Sequence, residues 1–330
     1  MKKFALLAVL LIAGIITFTG CGADNNAAPA AGTNQPAAAA TPTPAPAAGT
    51  TEAAPAGTTE AAPASNFNDT REIVVVSREE GSGTRGAFIE ILGVLVTGAD
   101  GSSRDMTTLD AEIAPGTSVV IGSVGGNPYA IGYISLGSLN DTVTAISVDG
   151  VAPTAANVQN GTYPLFRTFY LAVLEDRDPA TQEFLDFVLS AEGQAIVEDR
   201  NYVKALATAP SFEPSGEFSG TVVVSGSTSV EPLMLRMKEA FEAIHTNVTV
   251  EVHAGGTSAG INAAISGTAD IGMSSRDIRP SEIEQGIVPI AIAYDGLAVI
   301  INNDNPTNNM DSETIRQIFV GDVTRWNAVN

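Results

Sequence analysis

The sequence predicts an α/β fold. Three observations lead there. Strand-like and helix-like stretches alternate from residue 66 to residue 330. Three of the strand-like runs pass into a helix through a short loop of glycines and hydroxyls. Residues 22–65 have a composition that cannot bury a core. Of 330 residues, 44% are hydrophobic and 16% charged, which suits one large domain or two lobes. It excludes a wholly disordered chain and a polytopic membrane protein.

The first segment, 1–21, reads as an address. Lys2 and Lys3 form a positive start, and Phe4 to Phe18 is an apolar run. That run is shorter than the roughly 20 residues a membrane span needs, and it has the length of a signal-peptide core. It ends Phe18-Thr19-Gly20-Cys21, which resembles a bacterial lipobox, and Cys21 is the chain's one cysteine. The expectation is cleavage and lipidation at Cys21, which anchors the protein on the extracytoplasmic face of the cell membrane. Two acyl chains hold where one is marginal. The alternative is a plain secretory signal followed by a stray thiol.

Residues 22–65 are almost all Ala, Pro, Thr and Gly, and 49–64 is the octapeptide GTTEAAPA written twice. With no apolar face to bury, this segment is expected to be a disordered linker rather than a structural repeat. Its coil span is on the order of 35–40 Å, enough to hold a folded domain clear of a membrane.

In the folded part, Glu72–Ser77 (EIVVVS) reads as a strand. It is followed by Arg78-Glu79-Glu80-Gly81-Ser82-Gly83-Thr84 and a helix-like GAFIEIL. Thr221–Ser225 (TVVVS) leads through Gly226-Ser227-Thr228-Ser229 into an amphipathic helix. Its apolar positions Val230, Leu233, Met234, Met237, Phe241 and Ile244 keep helical spacing, and Pro232 suits its first turn. Val248–Val252 (VTVEV) leads through Gly255-Gly256-Thr257-Ser258-Ala259-Gly260 into INAAI. The first turn of a helix has free N–H groups and a partial positive charge. Glycine lets a ligand approach the backbone, and hydroxyls add donors. Together these make an anion site without requiring a cation. Each junction alone also fits a capped helix start, since Ser and Thr are favoured caps. Three of them, one carrying an arginine, point to a convergent oxyanion site.

Other chemistries fit less well. With 16 Lys+Arg against 37 Asp+Glu, the formal net charge is −21, which speaks against a nucleic-acid partner. One cysteine and two histidines give no disulfide framework and no ordinary zinc site, and no cofactor motif is present. Gly81-Ser82-Gly83 lacks the full nucleophile-elbow pattern because residue 80 is Glu. The glycine loops lack the lysine of a nucleotide-binding P-loop. His245 at a helix end reads as a surface residue, and His253 as strand-end packing or a solvent-facing residue.

Several stretches taken together resemble the phosphate-binding proteins of bacterial phosphate ABC transporters (PstS-like). They are REEGSGTRGAF at 78–88, GGNPYAIGYISLG at 125–137, NGTYPLFR at 160–167, SGSTSVEPL at 225–233, GGTSAGINAAISGTADIGMSSRDI at 255–278 and VTRWN at 323–327. The resemblance implies a two-lobed periplasmic-binding-protein-like (type II) fold with a hinge and a buried phosphate. It implies no enzymatic activity, delivery to an ABC permease, and inorganic phosphate as the ligand. Carried over by motif, Arg78 pairs with the anion, Ser82, Gly83 and Thr84 donate from one helix start, Thr228 and Ser229 from a second and Thr257 from a third. Glu80 stands where the family often has an acid that holds the arginine. Ser275 stands where many members have an Asp that accepts the ligand's proton. Asp295 is then the candidate acceptor, with a structural acid on a hinge strand as the other reading.

The order of the motifs departs from the family. There, the GSTS and GTSAG motifs come first, TRWN follows, and REEGSGTRG comes later. Here, REEGSGTRG comes first and TRWN stands near residue 330. The expected explanation is a circular permutation, with a misassembled gene fragment as the alternative. On this reading 66–143 and 306–330 build lobe A and 144–305 build lobe B, with crossings near 143 and 305. Two other outputs stay open: a tethered oxyanion receptor for signalling, and a phosphate-ester hydrolase with Ser82 as nucleophile.

Overall fold

Each strand–loop–helix junction forms where its pattern places it. In the computed structural model, which describes residues 67–99 and 101–329, β1 (Val74–Arg78) leads into α1 (Gly83–Ile91). The leader, Cys21 and the linker lie outside the described residues. The chain continues through β2 (Leu95–Thr97), β3 (Ser103–Asp105), β4 (Glu112–Ala114) and α2 (Thr117–Gly125). Then come β5 (Ala130–Ser135), β6 (Val143–Ala145), β7 (Ser147–Val148) and α3 (Ala155–Gln159).

The middle of the chain holds β8 (Phe166–Val173), α4 (Pro179–Leu189), α5 (Ala191–Asp199) and β9 (Val203–Lys204). The second and third junctions are β10 (Gly220–Gly226) into α6 (Glu231–Ile244), and β11 (Val248–Ala254) into α7 (Thr257–Ile265). In α6, Leu233, Met234, Met237 and Phe241 are buried as their spacing requires, while Ile244 at the end is exposed. The chain closes with β12 (Ile271–Ser274), α8 (Pro280–Ile283), β13 (Val288–Asn302), β14 (Asn309–Met310) and α9 (Ser312–Val320).

The main sheet runs β11-β10-β12-β8-β13-β5-β1-β4, with β6 and β9 also paired to β13. β10 pairs in parallel with β11 and β12, and β1 pairs in parallel with β4 and β5. β8 and β13 are antiparallel and stand between these two parallel groups. β13 changes partner along its length: Val288 to Gly296 pair with β8, and Leu297 to Ile301 pair with β5. Strands covered on both faces read as continuous apolar runs, as β5 and the second half of β13 do.

Two large cores result. One gathers Phe169, Leu171, Phe184, Phe187, Leu233, Phe241, Met273 and Ile292. The other gathers Val75, Phe88, Tyr133, Ile146, Val148, Val158, Leu165, Leu297, Ile301 and Phe319. The fold is the two-lobed α/β arrangement, but the lobes part elsewhere than at 143 and 305. Ile146 to Leu165 pack with Val75 and Phe88, and Leu297 to Ile301 pack with them too. The cores therefore divide between Leu165 and Phe169, and again between Ala293 and Leu297. β14 on β7, through Asn309↔Ser147 and Met310↔Val148, holds 147–148 in the same lobe as α9.

Candidate functional site

The site forms where the helix starts of both lobes meet. Arg78 ends β1 and is buried, 1% exposed. Its guanidinium donates from Nε and Nη2 to the two carboxylate oxygens of Glu79, both at 2.7 Å. Nη2 also donates to Thr228 Oγ1 of the other lobe at 3.0 Å, and Nη1 to Thr117 Oγ1 at 3.4 Å. Glu79 accepts in addition from the Gly116 amide at 3.1 Å. Burial by itself would raise the Glu79 carboxyl. The hydrogen bonds and charge of Arg78 outweigh it and hold the pKa below the ordinary glutamate value.

Hydroxyls from both lobes surround this cation. Thr84 Oγ1 is 2.8 Å from Ser229 Oγ, and Thr117 Oγ1 is 3.2 Å from Thr228 Oγ1. Ser227 donates to Ser275 Oγ at 2.8 Å, and Thr257 Oγ1 lies 3.4 Å from Ser275 Oγ. Thr84, Thr117, Ser227, Ser229, Thr257 and Ser275 are all buried. The lobes also meet through backbone, where the Ser258 amide donates to Gly81 O at 3.1 Å. One buried guanidinium among convergent hydroxyls and helix starts is suited to a small oxyanion.

Seven of the expected residues are thus brought together: Arg78, Gly83, Thr84, Thr228, Ser229, Thr257 and Ser275. Ser82 is buried beside them, but its oxygen caps its own helix by accepting from the Arg85 amide at 3.3 Å. Glu80 does not orient the arginine. It is exposed, and Glu79 does that work, because the chain turns out of β1 with residue 79 facing the guanidinium.

Asp295 is not in the hydroxyl cluster. It lies in β13 opposite Arg167 of β8 and is fully buried. Arg167 donates to its Oδ2 from Nε at 3.0 Å and Nη2 at 2.9 Å, and Ser135 donates to its Oδ1 at 2.9 Å. Burial pushes the Asp295 carboxyl up, against the pull of Arg167. Both Asp295 oxygens are thus engaged where the two strands cross, apart from the hydroxyl cluster. The reach of Asp295 to the site is indirect: Arg167 Nη1 donates to Ser275 O at 3.1 Å.

Sequence reasoning missed Thr117, Ser227, Glu79 and Arg167. A signal for Thr117 was present, since Gly-Thr-Ser occurs at 116–118 and again at 256–258. Both glycines precede a helix with positive φ, 105° at Gly116 and 93° at Gly256, and both threonines begin a helix. His245 also differs from expectation. It is 6% exposed among Phe212, Phe218 and Phe241, with Nε2 3.2 Å from Glu183 Oε1.

Among the described residues no His/Cys/Asp/Glu group is arranged to hold a metal, and no helix is long and apolar enough to cross a membrane. A profile of the PBP superfamily domain matches residues 40–192 and 213–330. The chain is similar to phosphate-binding protein PstS 2 of Streptococcus agalactiae serotype V, with 41% identity over 259 residues, 78% of this chain and 88% of that protein. It is 40% identical over 257 residues to phosphate-binding protein PstS 2 of Streptococcus pneumoniae serotype 4, covering 78% of this chain and 87% of that one. Among solved structures it matches the phosphate-binding protein of a phosphate ABC transporter from S. pneumoniae TIGR4. The TM-score there is 0.64 at 40% identity, over 79% of this chain and 100% of that one.

Proposed function

Because the chain belongs to the PBP superfamily and, within it, to the PstS-like phosphate-binding proteins, we propose that it captures inorganic phosphate between its lobes and delivers it to an ABC permease. The observation that carries this reading is the meeting of Arg78 and Thr84 of one lobe with Thr228 and Ser229 of the other. Arg78, held by Glu79, supplies the charge. Thr84, Thr228, Ser229, Thr257 and Ser275 supply hydroxyls, and the starts of α1 and α7 supply amides. Ser82 and Gly83 contribute through backbone, since Gly83 lets the anion lie against the chain.

The ligand's proton falls to a hydroxyl oxygen. Ser275 is the candidate, since its oxygen accepts from Ser227 through one lone pair and keeps a second for the ligand's proton. Lobe opening and closing about β8 and β13 admits and traps the anion. No bond of the ligand is made or broken, and no catalytic group is assigned. Titration calorimetry tests the reading. Saturable phosphate binding at micromolar levels is expected, and none at millimolar phosphate refutes it.

The anchor and the motif order belong to the same reading. Lipidation at Cys21 and the linker 22–65 would hold the domain on the outer face of the membrane, near its permease. A mass increase on Cys21 in membrane fractions, lost in Cys21→Ser, is the test. The permuted order is supported by the neighbourhood of 69–73 and 324–327. The Ile73 amide donates to Thr324 O at 2.8 Å, the Asn327 amide to Asp69 O at 2.6 Å, and Arg325 pairs with Glu72 at 2.8 Å. A chain joined there and opened before β10 should fold and bind phosphate as this one does. Loss of binding in a folded rejoined chain would count against the permutation.

A further inference from the structure

On the Thr117–Thr228 side of the hydroxyl cluster, a cavity of 560 Å³ opens between the lobes. Thr117 and Thr228 belong both to its wall and to the inner cluster, so the two spaces adjoin. Arg200, the residue after α5, is the cavity's one cation and Glu231 its one carboxylate. Arg78, Arg85, Arg167 and Arg276 around the cleft are each tied to a carboxylate, by Glu79, Asp105, Asp295 and Glu282. Arg200 is not. Its Nε is fully buried and makes no hydrogen bond, and no ion pair joins its guanidinium among the described residues. Ser138 Oγ, in the same wall, is buried and unpartnered too. Neither atom is open to the cavity as the lobes stand, so what Arg200 offers an occupant there is the charge of a guanidinium that no carboxylate of the described residues offsets.

We propose that this cavity is an outer oxyanion subsite in which the charge of Arg200 holds an incoming phosphate before it passes Thr117 and Thr228 to Arg78. The proposal rests on the phosphate-capture reading above. The overall charge of −21 repels an approaching anion, so association needs a local attraction at the mouth of the cleft. A free guanidinium there supplies it. The inner arginine acts less at that distance, since it is buried and paired with Glu79.

The test is stopped-flow association of inorganic phosphate with the full chain, comparing wild type, Arg200→Gln, Arg200→Lys and Glu231→Gln. Arg200→Gln is expected to lower the association rate constant about tenfold with the dissociation rate constant unchanged. Arg200→Lys should keep most of the rate, and Glu231→Gln should raise it. An Arg200→Gln rate equal to wild type, or a loss confined to dissociation, overturns the subsite. A wild-type chain that binds no phosphate overturns the parent reading instead, so the two failures are distinct.

Discussion

Gly83 faces Thr257 across the lobe boundary so closely that a Cβ on Gly83 would lie 2.3 Å from Thr257 Oγ1. The same Cβ would lie 2.6 Å from Ser275 Oγ. Closure therefore depends on a position with no side chain. Gly83→Ala should leave each core intact but prevent the lobes from meeting. Phosphate affinity should fall about tenfold or more, since overpacking a tight contact typically costs about 1–3 kcal/mol. Calorimetry with thermal melting checks this: an unchanged dissociation constant would show that the lobes need not close to this degree.

Arg78 carries the site's charge. Arg78→Ala should weaken phosphate by about 2–4 kcal/mol, or roughly 30- to 1000-fold, because it removes a charge-assisted donor and leaves Glu79 unpaired. Arg78→Lys should not restore binding, since an ammonium cannot make the paired contact with both Glu79 oxygens while reaching Thr228. Wild-type affinity in either variant would remove Arg78 from the site.

Glu79 gives the pH dependence its sign. Its folded pKa is depressed below 4.5, so its pairing with Arg78 is present above that value and lost as pH falls through the lowered pKa. Titrations across pH should show no Glu79-dependent step between about pH 5 and 8. A loss of affinity should appear only in acid, below 4.5. Glu79→Gln should abolish that acid step, and Glu80→Gln should leave it in place.

Asp295 should matter for stability rather than for choosing the ligand. Asp295→Ala strands Arg167 in the protein interior, and breaking such a buried pair costs about 3–5 kcal/mol. Denaturant unfolding should show that loss. In the fraction that remains folded, preference for phosphate over sulfate should persist. A stable Asp295→Ala protein that accepts sulfate would make Asp295 the proton acceptor after all.

These residues show what could be read before any coordinates. The three junctions were legible because β1 and β10 are short apolar runs, β11 alternates apolar and polar residues, and their loops concentrate glycine and hydroxyls. The fourth, at Gly116-Thr117-Ser118, was hidden. β4 before it has three residues, and α2 after it carries Gly122 and Gly125 in place of an amphipathic stripe. Glu79 and Glu80 are adjacent acids, and only the backbone's exit from β1 decides which faces Arg78. The lobe boundary was illegible for a related reason. β13 is one strand of 15 residues that serves both cores, and although Asp295-Gly296 interrupt its apolar run at the crossing, an Asp-Gly pair inside a strand does not by itself mark a lobe boundary. A net charge of −21 repels an anion at long range. Capture must be local, through Arg78 and oriented hydroxyls.

The most direct measurement is a crystal structure of the chain grown with phosphate. The anion is expected within hydrogen-bonding distance of the Arg78 guanidinium and of hydroxyls from both lobes, Thr84 on one side and Thr228, Ser229 and Thr257 on the other. A phosphate bound outside the cleft, or bound to one lobe with Arg78 still engaged only by Glu79, Thr117 and Thr228, would contradict capture between the lobes.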